Sequence, residues 1–167
     1  KKYDDGSLYS AVQTSDGGYI LAGVYFLQEI SGTQDNVRLV KVGASGNGEW
    51  NRTYGGTGDD EAYCVIQTSD GGYALAGSTE SYGSGEFDSW LIKVDSSGNV
   101  QWNRTYGGTW YDTSNSVVQT LDGGYALVGH TSYDFYLIKT DETGIIPEFS
   151  SLPTIPFLKV TILTILV

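Results

Sequence analysis

The chain alternates short runs of apolar and β-prone residues with clusters of Gly, Asp, Ser and Asn. In QTSDGGYAL (residues 67–75), such runs flank Asp70-Gly71-Gly72, a strong signal for a tight turn between antiparallel strands. In LIKVDSSGNVQW (residues 91–102), Asp95-Ser96-Ser97-Gly98-Asn99 separates a strand at 91–94 from one at 100–106. No stretch of this part of the chain holds apolar residues at helical spacing, and Gly is too frequent for helices. The pattern predicts strands and hairpins only.

The pattern also repeats. Residues 13–23 (QTSDGGYILAG) return at 67–77 and 119–129, and residues 39–42 with 46–56 return at 91–94 with 98–108. A third LIKT stands at 137–140, after which the pattern departs. Two hairpins per unit give four strands, a to d, in about 50 residues, the size of one propeller blade. The repeat QTxDGGYxLAG, LIKxDxxGNxxW, TYGG resembles the Gly/Tyr-rich β-propeller repeats of archaeal and bacterial extracellular surface proteins. The resemblance runs over residues 3–144. It implies an all-β, β-propeller-like fold of about three four-stranded antiparallel blades, at about residues 9–62, 63–114 and 115–144 of a repeat region 1–144. It also implies an extracellular or cell-surface location. Asp95, Gly98 and Trp102 are similar to the tryptophan-docking turn of quinoprotein-type propellers, but about one residue shorter, so that cofactor chemistry is not carried over.

Closed propellers typically have four to eight blades, so three leave open edges. Lys1-Lys2-Tyr3 matches Arg52-Thr53-Tyr54 and reads as the end of a d strand, and the third unit has no WNRTYGG of its own. The expectation is a fragment, or self-association that completes or extends the ring. Methionine is absent, even at position 1, which points to a processed product or a fragment. The segment 145–167 is a hydrophobic tail whose Ile146-Pro147-Glu148-Phe149 entry resembles the PEF-like sorting or anchor segment of archaeal surface proteins. Its end, VTILTILV, also has the composition of a strand that a neighbouring edge could accept. Both readings, membrane anchor and strand donor, stand at this stage.

Composition narrows the function. Nine Lys and Arg against twenty Asp and Glu give a net charge of −11, which supplies no cationic groove for nucleic acid and no patch for an anionic membrane. One cysteine, Cys64, allows no internal disulfide and reads as a small buried thiol. His130, the only histidine, has no Gly-x-Ser-x-Gly or similar nucleophile motif beside it. Arg38, Arg52 and Arg104 are too few and too far apart in the repeat for an arginine cluster. A non-enzymatic role is expected.

If strands a to d run up and down in turn, the b–c and d–a loops share one end. The b–c loop differs between units, whereas the a–b turn is Asp-Gly-Gly in all three. That end carries the candidate ligand or calcium residues Asp59, Asp60, Glu61, Trp110, Tyr111 and Asp112, with Glu86-Phe87-Asp88 and Tyr133-Asp134-Phe135 nearby. Carboxylates suit Ca²⁺, and flat rings suit the C–H faces of a sugar, although acidic loops are also the ordinary surface of an acidic protein. No cofactor other than Ca²⁺ is implied. Asn51-Arg52-Thr53 and Asn103-Arg104-Thr105 are glycosylation sequons, and Asn51 and Asn103 should face outward if Trp50 and Trp102 face the packing. The expected function is binding or adhesion to a glycan or surface protein. The alternative is a structural subunit of a filament or sheath, joined through strand edges and the tail.

Overall fold

The three copies of the repeat become three antiparallel sheets. A computed structural model describes residues 6–29 and 32–147. The expected d-strand remnant at Lys1-Lys2-Tyr3 and the tail from residue 148 onward lie outside the described residues. The first sheet has the order β1 (Gly6–Gln13), β2 (Tyr19–Glu29), β3 (Gly32–Val42), β4 (Gly48–Tyr54). The second is β5 (Asp60–Gln67), β6 (Tyr73–Thr79), β7 (Asp88–Val94), β8 (Val100–Tyr106). The third is β9 (Asp112–Gln119), β10 (Tyr125–Thr131), β11 (Phe135–Thr140), with no fourth strand among the described residues. Residues 141–147, where the sequence loses WNRTYGG, do not supply one. No helix occurs among the described residues.

The a–b turns are built alike. Thr14, Thr68 and Thr120 each donate an Oγ1 hydrogen bond to the Asp two residues on, at 2.5 Å. The glycine after each Asp has φ of 81°, 81° and 87°, which only Gly adopts cheaply. The same Asp holds a lysine from strand c: Lys41 to Asp16 at 2.9 Å, Lys93 to Asp70 at 2.8 Å and Lys139 to Asp122 at 2.8 Å. Burying Lys41 and Lys93 is tolerable because each ammonium is paired.

The sheets stack face to face. Ile20, Ala22 and Leu39 of the first pack on Tyr73, Leu75 and Ile92 of the second. Ala74, Ala76 and Leu91 on the other face of the second pack on Val117, Tyr125 and Leu127 of the third. The second sheet is therefore covered on both faces, and β6 and β7 are buried throughout.

Residue size grades along each interface. Strand β5 approaches both β1 and β9, and the positions that face across these contacts are the small Ser10, against Val65, and Cys64, against Val117. The outer strands β4 and β8 reach the next sheet through long side chains. Trp50 lies 6.0 Å from the Tyr73 ring and Trp102 lies 5.6 Å from the Tyr125 ring. Tyr54 donates to the Gly98 carbonyl at 2.8 Å, and Tyr106 to the Gly144 carbonyl at 2.6 Å. Gly98 and Gly144 leave room for these indoles: a Cβ would stand 3.0 Å from Trp50 Cζ3 and 2.7 Å from Trp102 Cζ3. Small residues thus lie where β1 meets β5, and tryptophan where β4 and β8 meet the next sheet. Packing of Trp50 and Trp102 between sheets agrees with the sequence expectation.

Candidate functional site

The a–b and c–d turns lie at one end of the sheets and the b–c and d–a loops at the other. Hydrogen bonds tie the second group together. Gly56 N donates to Ser81 Oγ at 3.0 Å, Tyr82 Oη to the Gly55 carbonyl at 2.9 Å, and Glu80 N to the Asp59 carbonyl at 2.9 Å. On the other side, Asp112 N donates to the Phe87 carbonyl at 2.7 Å. The b–c loop of the second sheet thus sits between the d–a loops before and after it.

The first b–c connection is largely strand rather than loop. Its strands continue, pairing Val24 with Val37, Tyr25 with Asn36 and Phe26 with Asp35. The third is a tight turn closed by Thr131 N to the Asp134 carbonyl at 2.6 Å.

The six candidate residues divide into two groups. Asp60 and Asp112 stand at equivalent places, opening β5 and β9, and both are buried. Each accepts a backbone bond from the glycine loop before it: Gly56 N to Asp60 and Gly108 N to Asp112, both 2.9 Å. Asp60 also accepts from Ser81 Oγ at 2.6 Å and from Thr79 Oγ1. These two carboxylates hold the loops in shape. Asp88, also buried, accepts Ser84 N at 2.5 Å. Gly107 lies between Asp88 and Asp112: a Cβ there would meet their oxygens at 1.9 and 2.8 Å. Burial raises the Asp88 carboxyl above its usual range, with the Asp112 charge adding to it, and burial raises Asp112 as well.

Asp59, Glu61, Trp110 and Tyr111 form the accessible group. Asp59 Oδ1 accepts Asp35 N at 3.0 Å, and Tyr63 donates its hydroxyl proton to Glu61. Burial raises the Asp35 carboxyl, and the charges of Asp59 and Glu61 add to it. Tyr111 packs on Phe87 with ring centroids 4.6 Å apart. Its hydroxyl is pushed up by burial first, then by the charges of Glu61, Asp59, Glu80 and Glu86. Trp110 is 59 % exposed, and Tyr133 and Phe135 are 84 % and 83 % exposed. The result is an acidic end studded with open aromatic rings. Among the described residues, no group of three or more His, Cys, Asp or Glu is placed to hold a metal ion.

The other singled-out residues have local roles. Arg38 and Arg52 of the first sheet and Arg104 of the second lie over the rings of Tyr25, Trp50 and Trp102 at 4.8, 5.5 and 5.7 Å. Cys64 is half-buried against the core between the second and third sheets. His130 is exposed at the end of β10. Asn51 and Asn103 are exposed on the outer strands, and Asn103 Oδ1 accepts from Trp90 Nε1 at 3.4 Å.

Sequence reasoning missed the Asp–Lys pairs and the loop-holding role of Asp60 and Asp112. The first had a signal: Thr-x-Asp-Gly-Gly and the strand-c lysine occur together in all three units. Compared with the known protein families and with the curated proteins, the chain matches none.

Proposed function

We propose that the three sheets are blades of a β-propeller built from the Gly/Tyr-rich repeats of archaeal and bacterial surface proteins, and that the chain is a non-catalytic cell-surface module. Its loop end binds a neutral glycan or another surface protein. The stacking of the three sheets, with small residues between β1 and β5 and tryptophan between β4 or β8 and the next sheet, supports the blade reading. The contrast between the two ends carries the binding reading: three like turns at one end, and dissimilar loops with exposed Trp110 and Tyr133 at the other. Such rings stack on sugar C–H faces while nearby carboxylates accept sugar hydroxyls. The separate stacking of the three arginines favours binding over chemistry on an anionic substrate.

Titration with neutral oligosaccharides, with and without Ca²⁺ and followed by tryptophan fluorescence, tests this. Binding between about micromolar and millimolar is expected, weakened about tenfold by Trp110→Ala. A folded protein that binds no glycan or surface protein, or binds equally without Trp110 and Tyr133, contradicts it. Expression in a glycosylating host tests exposure at the cell surface. Asn51 and Asn103 should gain glycan that Thr53→Val and Thr105→Val remove.

A second reading, a subunit of an extracellular filament or sheath, draws support from the exposed Val128 and Leu137 on the outer face of the third sheet.

A further inference from the structure

The joint between neighbouring sheets is built twice at the loop end, with different chemistry each time. In the first joint, Gly55 lies between Asn36 and Asp60, and a Cβ there would overlap Asn36 Oδ1 and Asp60 Oδ2. In the second, Gly107 lies between Asp88 and Asp112 in the same way. Asn36 and Asp88 hold the same place in the repeat, as do Asp60 and Asp112, and all four are buried. The lining changes with them. Val24 and Val37 are buried at the first joint, and Ser78 and Ser89 take their places at the second. There the Ser89 and Ser114 hydroxyls share a hydrogen bond of 2.5 Å, and those of Ser114 and Tyr136 one of 3.2 Å.

An amide beside a carboxylate carries one charge and has hydrogens to offer it. Two carboxylates carry two charges and have none, and like charges that close, out of water, resist ionising together. The groups facing the second pair do not relieve this. Asp88 accepts Ser84 N at 2.5 Å and Asp112 accepts Gly108 N at 2.9 Å, each a neutral backbone donor. Tyr136 of β11 is within reach of both charges, and its own hydroxyl is pushed up, by burial first. The ion pairs of Lys41, Lys93 and Lys139 lie at the opposite end of the sheets.

We propose that Asp88 and Asp112 share one proton, which does for this joint what the Asn36 amide does for the first, and that its release loosens the contact between loop 80–87 and loop 107–111. That contact is closed by Asp112 N donating to the Phe87 carbonyl at 2.7 Å and by the Tyr111 ring on Phe87. The second buried charge therefore appears beside the bond that holds the loops together. Burial first, then the Asp112 charge, raises the Asp88 carboxyl, and burial raises Asp112. A carboxyl raised on folding stabilises fully below its unfolded value of about 4, and that stability is lost as pH rises through the native value. The joint is thus firm in acid and loosens toward neutral pH, whatever the loops bind.

Carboxyl ¹³C NMR of the full chain, with pH titrated, tests this. The pair should take up one proton well above about pH 4, and Asp112→Asn should bring the Asp88 midpoint down by about one unit. Amide exchange reads the loosening. As pH rises through that midpoint, Gly108 N should gain several-fold in rate over Gly56 N, its counterpart at the first joint. Asn36→Asp should build a second such pair. Its melting temperature should match the wild type at about pH 4 and fall about 3 °C or more below it by about pH 8. Two carboxyls that titrate at or below about pH 4, an Asp88 midpoint unmoved by Asp112→Asn, or a constant Gly108 to Gly56 ratio overturns the proposal. So does a midpoint that follows Ca²⁺ concentration, which would make the pair a cation site. The wild-type readings decide the matter if a variant misfolds.

Discussion

Leu91 and Leu137 are the same residue at the same place in two repeats, and the packing assigns them different worth. Leu91 is fully buried between the second and third sheets, against Ala74, Val117 and Leu127. Truncation to alanine removes its transfer energy and leaves a cavity that two sheets cannot easily close. Leu91→Ala should therefore cost about 3–4 kcal/mol. Leu137 is 45 % exposed, so about half its transfer energy is at stake and little cavity forms. Leu137→Ala should cost about 1 kcal/mol in the single chain. Urea unfolding reads both. With a slope of about 2 kcal/mol per molar, Leu91→Ala should lower the midpoint by about 1.5–2 M, and Leu137→Ala by about 0.5 M. Equal shifts, or a Leu91→Ala cost below about 1 kcal/mol, would refute the stacking order.

The turn pairs give a pH prediction. Burial opposes ionisation of Asp70, but Lys93, Thr68 and Gly72 outweigh it and bring the carboxyl down to about 2. A carboxyl lowered on folding stabilises above its unfolded pKa, so this contribution is full above about pH 4 and is lost as pH falls through about 2. Asp70→Asn should cost about 1–3 kcal/mol at pH 7, a figure reduced for the half-exposed carboxylate, and the cost should fall away as pH drops through about 2. Asp112 behaves oppositely. Its carboxyl is raised by burial, so ionisation at neutral pH works against folding. Asp112→Asn, which can still accept the Gly108 bond, should raise the melting temperature at pH 7 and lose that advantage as the native carboxyl protonates in acid. Gly98→Ala should destabilise by about 1–3 kcal/mol, since φ is +80° and its Cβ would stand 2.8 Å from Arg52 Cγ; calorimetry checks it.

The strands were legible because each turn has its own chemistry. Asp-Gly-Gly at 16–18, 70–72 and 122–124 marks all three a–b turns, and repetition separated signal from chance. The facing of Trp50 and Asn51 followed from simple alternation. The extension of β2 to Glu29 was hidden because its length depends on cross-strand pairing with residues 32–37, which local patterning does not reveal. A register shift in β5 between Ala62 and Cys64, recurring in β1 between Leu8 and Ser10, was hidden too. It leaves the Tyr9 and Tyr63 rings 5.8 Å apart. The candidate site was half legible. Asp59 and Asp60 are neighbours of one type, yet one is accessible and the other buried among Gly56, Thr79 and Ser81, partners distributed over two loops. Only the folded neighbourhood distinguishes them.

Every conclusion above depends on the second sheet lying between the other two. Amide hydrogen exchange on the full chain, read strand by strand, tests that order most directly. β6 and β7 should be the slowest strands, because both of their faces are covered, with β9–β11 exchanging faster and the loop at 80–87 faster still. Exchange in β6 and β7 as fast as in β10 and β11 would mean that the three repeats do not stack in this way, and would contradict the account.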